Sequence, residues 1–199
     1  MAELLKVSVE ERTETGKGFN RRMRAAGQVP GVFYDRKGTN IAVKIENNLF
    51  ERTYRDKGAL GVFDLEIDRE GKKETYPALI WRIKRDPVKS TAEHIDFFGV
   101  DLDRTVRVKA PINVFGRAKG VQLGGKLDVY RRVVEIEAKP MDIPTVIDID
   151  VTEYNIGDDL RISGLELPEG VSAYFADDYK ILSLFQKGAS VSEEDESAE

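Results

Sequence analysis

The alternation of apolar and polar residues predicts a chain built mainly from short strands. Residues 5–9 and 41–45 place an apolar side chain at every second position, as strands with one buried face do. Further strands are predicted at 62–67, 75–83 and 94–98. Several short strands separated by turn residues favour a mainly β fold, with an antiparallel barrel and short helices in the N-terminal half.

A helix is predicted between Gly18 and Gly27, because the intervening Arg, Met and Ala residues favour helix, and Gly27 followed by Pro30 ends it. At a helical period, one side of this segment carries an apolar stripe that consists of Phe19, Met23 and Ala26. The stripe is expected to pack on the barrel while the arginines face outward. A second helix is predicted from Asn47 or Asn48, acting as N-cap, to Gly58.

A domain boundary is predicted near residues 99–103, because a second set of strands follows at 106–115, 133–138, 147–151 and 181–185. We therefore expect an N-terminal barrel domain over residues 1–98 and a second β-rich domain over residues 99–187. Residues 188–199 are acidic and carry nothing apolar enough to pack, which predicts a disordered tail.

Composition narrows the class of protein. The 199 residues include no cysteine, which excludes disulfides and thiolate metal sites and suits a reducing cytoplasm. The first residues lack the apolar run of a signal peptide, and no stretch approaches the roughly 20 apolar residues of a membrane span. A soluble intracellular protein is expected.

Basic residues concentrate near the N-terminus of a chain with a net charge of −5. Lys17, Arg21, Arg22 and Arg24 lie within eight residues, and from Arg12 to Lys37 the chain has seven basic and two acidic side chains. Such a cluster in an acidic chain predicts an anion-binding surface, with nucleic acid as the candidate partner. From charge alone, a solvated basic helix explains the segment equally well.

Patterns that would indicate catalysis are weak. His94 and Asp96 share one face of a predicted strand, but the chain has no nucleophile motif beside them, and polar contact with RNA or a structural hydrogen bond explains the pair better. Residues 120–126 match G-x-x-x-x-G-K, yet Leu127 replaces the hydroxyl residue of a phosphate loop, so a mobile connection between strands is expected. No enzyme activity and no cofactor are predicted.

A pair of aspartates and the one tryptophan could also indicate a binding site. Asp148 and Asp150 lie on one face of a predicted strand, and a solvated sheet face explains them better than a metal site. Trp81 has apolar neighbours, which favours packing in the core or at the barrel rim over stacking on a base.

Two segments, RTETGKGFNRRMRAAGQVPGVFY and RDPVKSTAEHIDFFGVD, closely resemble the family of bacterial large-subunit ribosomal protein number twenty-five. They occur in that family's order and spacing, and the length and second domain are similar to its longer form, general stress protein CTC. The resemblance implies a non-enzymatic protein of the ribosome that binds 5S ribosomal RNA in the central protuberance. It also implies a six-stranded N-terminal barrel that contacts the minor-groove side of an internal loop with non-standard base pairs.

The resemblance also implies which residues contact RNA. At the matching positions of this chain these are Arg12, Lys17, Asn20, Arg21, Arg24, Tyr34, His94 and Asp96, with Arg22 as a further phosphate contact. Asn20 stands where shorter members commonly have serine. Lys84 stands where the family often has glutamine, which favours a phosphate contact there.

The sequence thus predicts a structural RNA-binding protein that is cytoplasmic and ribosome-associated. Its second domain is expected to meet neighbouring large-subunit ribosomal proteins or RNA at local basic spots such as Arg131 and Arg132. The alternative is a stress-related adaptor that acts through its acidic C-terminal domain on other proteins.

Overall fold

The computed structural model describes residues 4–69 and 71–186. They form two compact units. The first contains the residues up to Val108 together with Glu137–Thr145 and Pro168–Val171, and the second contains Lys109–Ile136, Val146–Leu167 and the segment from Ser172. The predicted acidic tail, 188–199, lies outside the described residues, and the division at residue 98 stays a prediction.

The first unit contains a closed barrel of six strands, as predicted. In chain order the strands are β1 (Lys6–Glu11), β2 (Gln28–Tyr34), β3 (Asn40–Glu46), β4 (Phe63–Arg69), β5 (Lys72–Arg85) and β6 (Ala92–Gly99). Their order around the barrel is β1-β3-β2-β6-β5-β4. Four of the six pairings are antiparallel, as predicted, but β1–β4 and β2–β6 are parallel, so the prediction of an antiparallel barrel is wrong at these two pairings. Both join strands that are not consecutive in the chain, which local patterns do not show.

Strand β2 was missing from the sequence prediction because Pro30 and Gly31 resemble a turn. Pro30 is tolerated because the ladder with β6 begins one residue later, at Gly31, opposite Ile95. Gly31 is required because a Cβ there would lie 2.7 Å from the carbonyl oxygen of Ile95. The two backbones therefore approach more closely than a side chain at position 31 permits.

The barrel interior is filled by the alternating apolar residues of the strands. Four aromatic rings lie fully inside the first unit: Phe33, Phe50, Phe63 and Phe97. Phe63 and Phe97 meet edge to face, with ring centroids 6.1 Å apart. This dense apolar core supplies the main stabilisation of the unit.

Two helices accompany the barrel: α1 (Lys17–Ala25) and α2 (Asn47–Lys57). The N-cap of α2 is Glu46, one residue earlier than predicted, and its end at Gly58 is confirmed by a φ of 70° at that glycine. Arg85 of β5 fixes α2 by donating to both carboxylate oxygens of Glu51, at 2.8 and 3.3 Å. The same guanidinium lies 5.0 Å from the centroid of the Tyr54 ring.

The later elements are also β-rich, as predicted. They are β7 (Val106–Phe115), α3 (Lys119–Gln122), β8 (Gly125–Val129), β9 (Val133–Ala138), β10 (Ile147–Asp150), β11 (Asp159–Arg161), β12 (Val171–Ala173) and β13 (Lys180–Gln186). One sheet has the order β10-β7-β9-β12 and another has the order β11-β13-β8. Two 3₁₀ turns complete the set, Pro140–Asp142 and Ile162–Gly164.

The segment 120–126 follows one strand and leads into the next, as predicted, but it carries regular structure of its own. The segment forms α3 and the start of β8, which pairs with β13. Gly120 is buried, and a Cβ there would lie 2.5 Å from Leu184 and 2.7 Å from the amide nitrogen of Ile156. The glycine therefore allows close packing. The segment is followed by strand β8, whereas a phosphate loop is followed by a helix.

The longest helix of the described residues, α2, has 11 residues, and no helix in this part of the chain is long and apolar enough to cross a membrane.

Gly31→Ala tests the close approach of β2 and β6. We expect the substitution to lower the free energy of unfolding by about 1–3 kcal/mol, because the backbone of β6 has to move away from the new methyl group. Gly18→Ala is the control and should not lower the free energy of unfolding, since its Cβ meets nothing nearer than the end of the Arg22 side chain at 3.8 Å and alanine favours the helix in which it lies. Urea unfolding of both variants provides the measurement. Equal stability of the two would contradict the tight β2–β6 contact.

Candidate nucleic-acid interface

The predicted contact residues of the strands lie on the outer side of the barrel. In β6, buried Ile95 and Phe97 alternate with the partly exposed His94, Asp96 and Phe98. The parallel ladder places Val32 of β2 opposite Asp96, and the antiparallel ladder places Arg82 of β5 opposite it from the other side. We call the outer side of β2, β6 and β5, together with the neighbouring helix α1, the α1–β6 face.

Polar side chains on this face are ordered by short contacts. Nδ1 of His94 lies 2.8 Å from Oδ1 of Asp96. Lys84, which pairs with His94 in the ladder, places its ammonium 2.9 Å from the carboxylate of Glu93. Both the imidazole and the ammonium remain partly exposed, so they can still reach a ligand outside the barrel.

Helix α1 presents its basic side chains to solvent. Lys17, Arg21 and Arg22 are exposed, and they form no hydrogen bond or ion pair with any described residue. Met23 is the buried anchor of the helix, as predicted. The apolar stripe is shorter than predicted, because Phe19 is half-buried and Ala26 is exposed where the helix has already ended.

Arg24 joins the helix to the strands. Its Nε donates to the carbonyl oxygen of Glu93, at 3.0 Å, next to His94. The helix is thus held beside the start of β6, and its unpaired cations lie on the same surface as His94 and Asp96. The structure brings together the two sequence segments that the resemblance had linked.

Arg12 forms more hydrogen bonds with the protein itself than the other predicted contact residues do. Its Nε donates to the carbonyl oxygen of Val43 at 3.1 Å, and its Nη1 donates to Oδ1 of Asn20 at 3.2 Å. Burial lowers the pKa of the Arg12 guanidinium from its ordinary value. Arg12 therefore positions Asn20, whose amide nitrogen is left to donate outward.

A row of aromatic rings continues the face beyond Asp96. Tyr34 packs on Phe98 with centroids 5.6 Å apart, and Trp81 packs on the same ring at 5.2 Å. Burial, and then the negative charge of Asp96, raise the pKa of the Tyr34 hydroxyl. The hydroxyl is therefore protonated at neutral pH and can donate a hydrogen bond.

Sequence reasoning missed part of this surface. Trp81 does not pack in the core, because 48% of its surface is exposed on the outer side of the barrel. Arg82 was not predicted, although it lies opposite Asp96 and is exposed. The alternation of β5 could have indicated Arg82, since it lies two positions before Lys84. In β6, Phe98 could have been found because it follows His94 and Asp96 at every second position.

The combination of groups suits recognition of a polyanion. Guanidinium groups donate to phosphate oxygens, the amide and imidazole groups can bond base or sugar edges, and aromatic rings can stack on bases. Among residues 4–69 and 71–186, no three acidic or histidine side chains are grouped to hold a metal ion. Asp148 instead accepts a hydrogen bond from Nδ2 of Asn113, at 2.7 Å.

Comparisons with known proteins agree with the resemblance seen in the sequence. Residues 7–97 match the model of the ribosomal L25p family, and residues 105–186 match that of the C-terminal domain of ribosomal protein TL5. Large ribosomal subunit protein bL25 of Nitratidesulfovibrio vulgaris strain DP4 is 43% identical over 184 residues, which cover 92% of this chain and 97% of the relative. The protein of the same name from Lawsonia intracellularis is 34% identical over 196 residues, covering 98% and 100%.

A more distant relative, large ribosomal subunit protein bL25 of Moorella thermoacetica, is 33% identical over 165 residues, covering 83% of this chain and 79% of the relative. These matches to ribosomal proteins confirm that the chain is structural rather than enzymatic. By its family model and by the coverage of its relatives, the chain belongs to the ribosomal L25p family.

Proposed function

We propose that this protein is a structural component of the large ribosomal subunit and binds 5S ribosomal RNA through the α1–β6 face, in the central protuberance. Its relatives named as large-subunit proteins support the ribosomal role. The partner RNA follows from the resemblance of the two sequence segments. We further propose a cytoplasmic, ribosome-associated location.

The observation that carries the proposal is the hydrogen bond from Arg24 to the backbone of Glu93. It joins the unpaired cations of α1 to the polar side chains of β6 on one surface. Without that juxtaposition, the basic helix and the His94–Asp96 pair would be two unrelated features. With it, phosphate-binding groups lie beside groups that can select base or sugar edges.

The chemistry of the face suits an RNA internal loop. A-form RNA has a wide, shallow minor groove that displays 2′-hydroxyls and base edges, and irregular pairs present additional unpaired groups. Arg21 and Arg24 would contact phosphates on either side of such a groove. Asn20, His94 and Asp96 would donate to or accept from the edges between them.

The second unit is proposed to contact neighbouring ribosomal proteins or RNA. Arg131 lies over the ring of Tyr179, with its guanidinium carbon 5.3 Å from the centroid. Arg132 is exposed beside it in the chain. No observation favours the adaptor alternative, in which this unit would act away from the ribosome.

The proposal predicts steep salt dependence. Affinity of the full chain for a 5S ribosomal RNA transcript should fall with a log–log slope of several units, because each phosphate contact releases a bound counterion. Replacing Arg21 and Arg24 together by Ala should reduce this slope by about 2. Binding isotherms at a series of salt concentrations provide the measurement.

The matched control for that pair replaces Arg52 and Arg55, two exposed arginines of α2, by Ala. It removes the same charge from another helix and should leave the slope almost unchanged. Equal slopes for both double variants would show that bulk charge drives binding, and absence of a salt-dependent complex would refute the RNA partner.

Arg12→Ala tests whether Arg12 positions Asn20 or contacts the RNA directly. Because Asn20 and a backbone carbonyl of β3 lose their donor, we expect the free energy of unfolding to fall by about 1–2 kcal/mol, together with weaker RNA binding. Arg21→Ala should weaken binding at unchanged stability, since its side chain has no partner in the described part of the chain. If Arg12→Ala weakened binding without any loss of stability, Arg12 would be a direct contact instead.

A further inference from the structure

We propose that Trp81 is a stacking platform for one unpaired or irregularly paired base of the bound RNA, with Arg82 beside it as a phosphate contact. This inference rests on the proposed function and extends the RNA-binding face beyond the residues that the resemblance implies. It assigns a role to the one tryptophan of the chain.

A β-bulge brings Trp81 and Arg82 to the same outer side of the barrel. The register between β5 and β6 runs from Ile80 opposite Phe97 to Arg82 opposite Asp96, so Trp81 is the extra residue that has no partner across the ladder. A bulge of this kind interrupts strict alternation, so two consecutive side chains can face the same side of the sheet. As a result, Trp81 and Arg82 are both exposed although they are adjacent in sequence.

The ring is fixed in orientation without being covered. Phe98 supports Trp81, with ring centroids 5.2 Å apart and planes at 51°. Nearly half of the Trp81 surface remains exposed. An indole that is held on one side and open on the other offers a large π surface at low entropic cost.

Its surroundings favour a nucleic acid base as the occupant. Phe98 connects Trp81 to Tyr34, which is an implied RNA contact, at 5.6 Å between ring centroids. Arg82 adds a cation that forms no ion pair with a described residue, and it lies opposite Asp96 in the ladder. Aromatic rings beside cations bind nucleotides by stacking and by charge together.

The single tryptophan permits a direct optical test on the full chain. Binding of a 5S ribosomal RNA transcript should quench the indole emission and reduce its accessibility to acrylamide, while anisotropy of labelled RNA reports complex formation independently. If the RNA bound and Trp81 stayed as accessible as in the free protein, the stacking role would be refuted and the proposed function would stand. If the RNA did not bind at all, both would fail.

Substitutions at position 81 test the stacking role through their effect on the affinity for RNA. Trp81→Leu keeps an apolar contact with Phe98 but removes the π surface, and it should weaken binding by about tenfold or more, whereas Trp81→Phe should retain most of the affinity. Leu123→Ala, which changes a side chain 75% exposed in the second unit, is the control and should bind like the unmodified chain. Thermal unfolding of each variant establishes that it is folded. Equal affinities of the Leu and Phe variants at position 81 would overturn the proposal.

Discussion

The parallel pairing of β2 with β6 is the constraint on which the rest of the first unit depends. It requires Gly31 to lie against the backbone of Ile95, and it contributes to closure of the barrel. Because α1 ends at Ala25 and β2 begins at Gln28, the same pairing also brings the helix to the start of β6. One close backbone approach therefore organises both the apolar core and the surface that carries the basic residues.

The cations of that surface differ in how far the protein itself uses them. Arg12 donates to oxygens of β3 and of Asn20, whereas Arg24 uses Nε to hold α1 beside β6 and keeps its two terminal nitrogens for a ligand. Lys17 and Arg21 make no such contact with the described residues, so their charge remains available to a ligand. The chain as a whole carries a net charge of −5. An acidic remainder reduces attraction to polyanions elsewhere on the molecule, which favours the basic helix as the place where the proposed RNA partner would bind.

Local patterns predicted the fold well wherever a strand has one buried face. They failed at β2, because Pro30 and Gly31 are turn residues in most contexts and only the distant strand β6 makes them suitable for a strand. The apolar neighbours of Trp81 predicted a place in the core or at the barrel rim, and the core is wrong because the side chain is exposed. The bulge that brings Arg82 to the same outer side is a property of the β5–β6 register, which local patterns do not show. They did not show the close packing of Gly120, because its contact with Leu184 involves a residue more than sixty positions away.

The candidate site was predicted from family resemblance more than from physical pattern. Charge clustering identified α1, but nothing local linked that helix to His94 and Asp96, which follow some seventy residues later. Hydroxyl-radical footprinting of 5S ribosomal RNA with the full chain is the most direct test of that link. We expect one continuous stretch of the RNA to be protected at an irregular internal loop. This protection should weaken in the variant that lacks Arg21 and Arg24. Absence of protection, or a footprint unchanged in that variant, would contradict it.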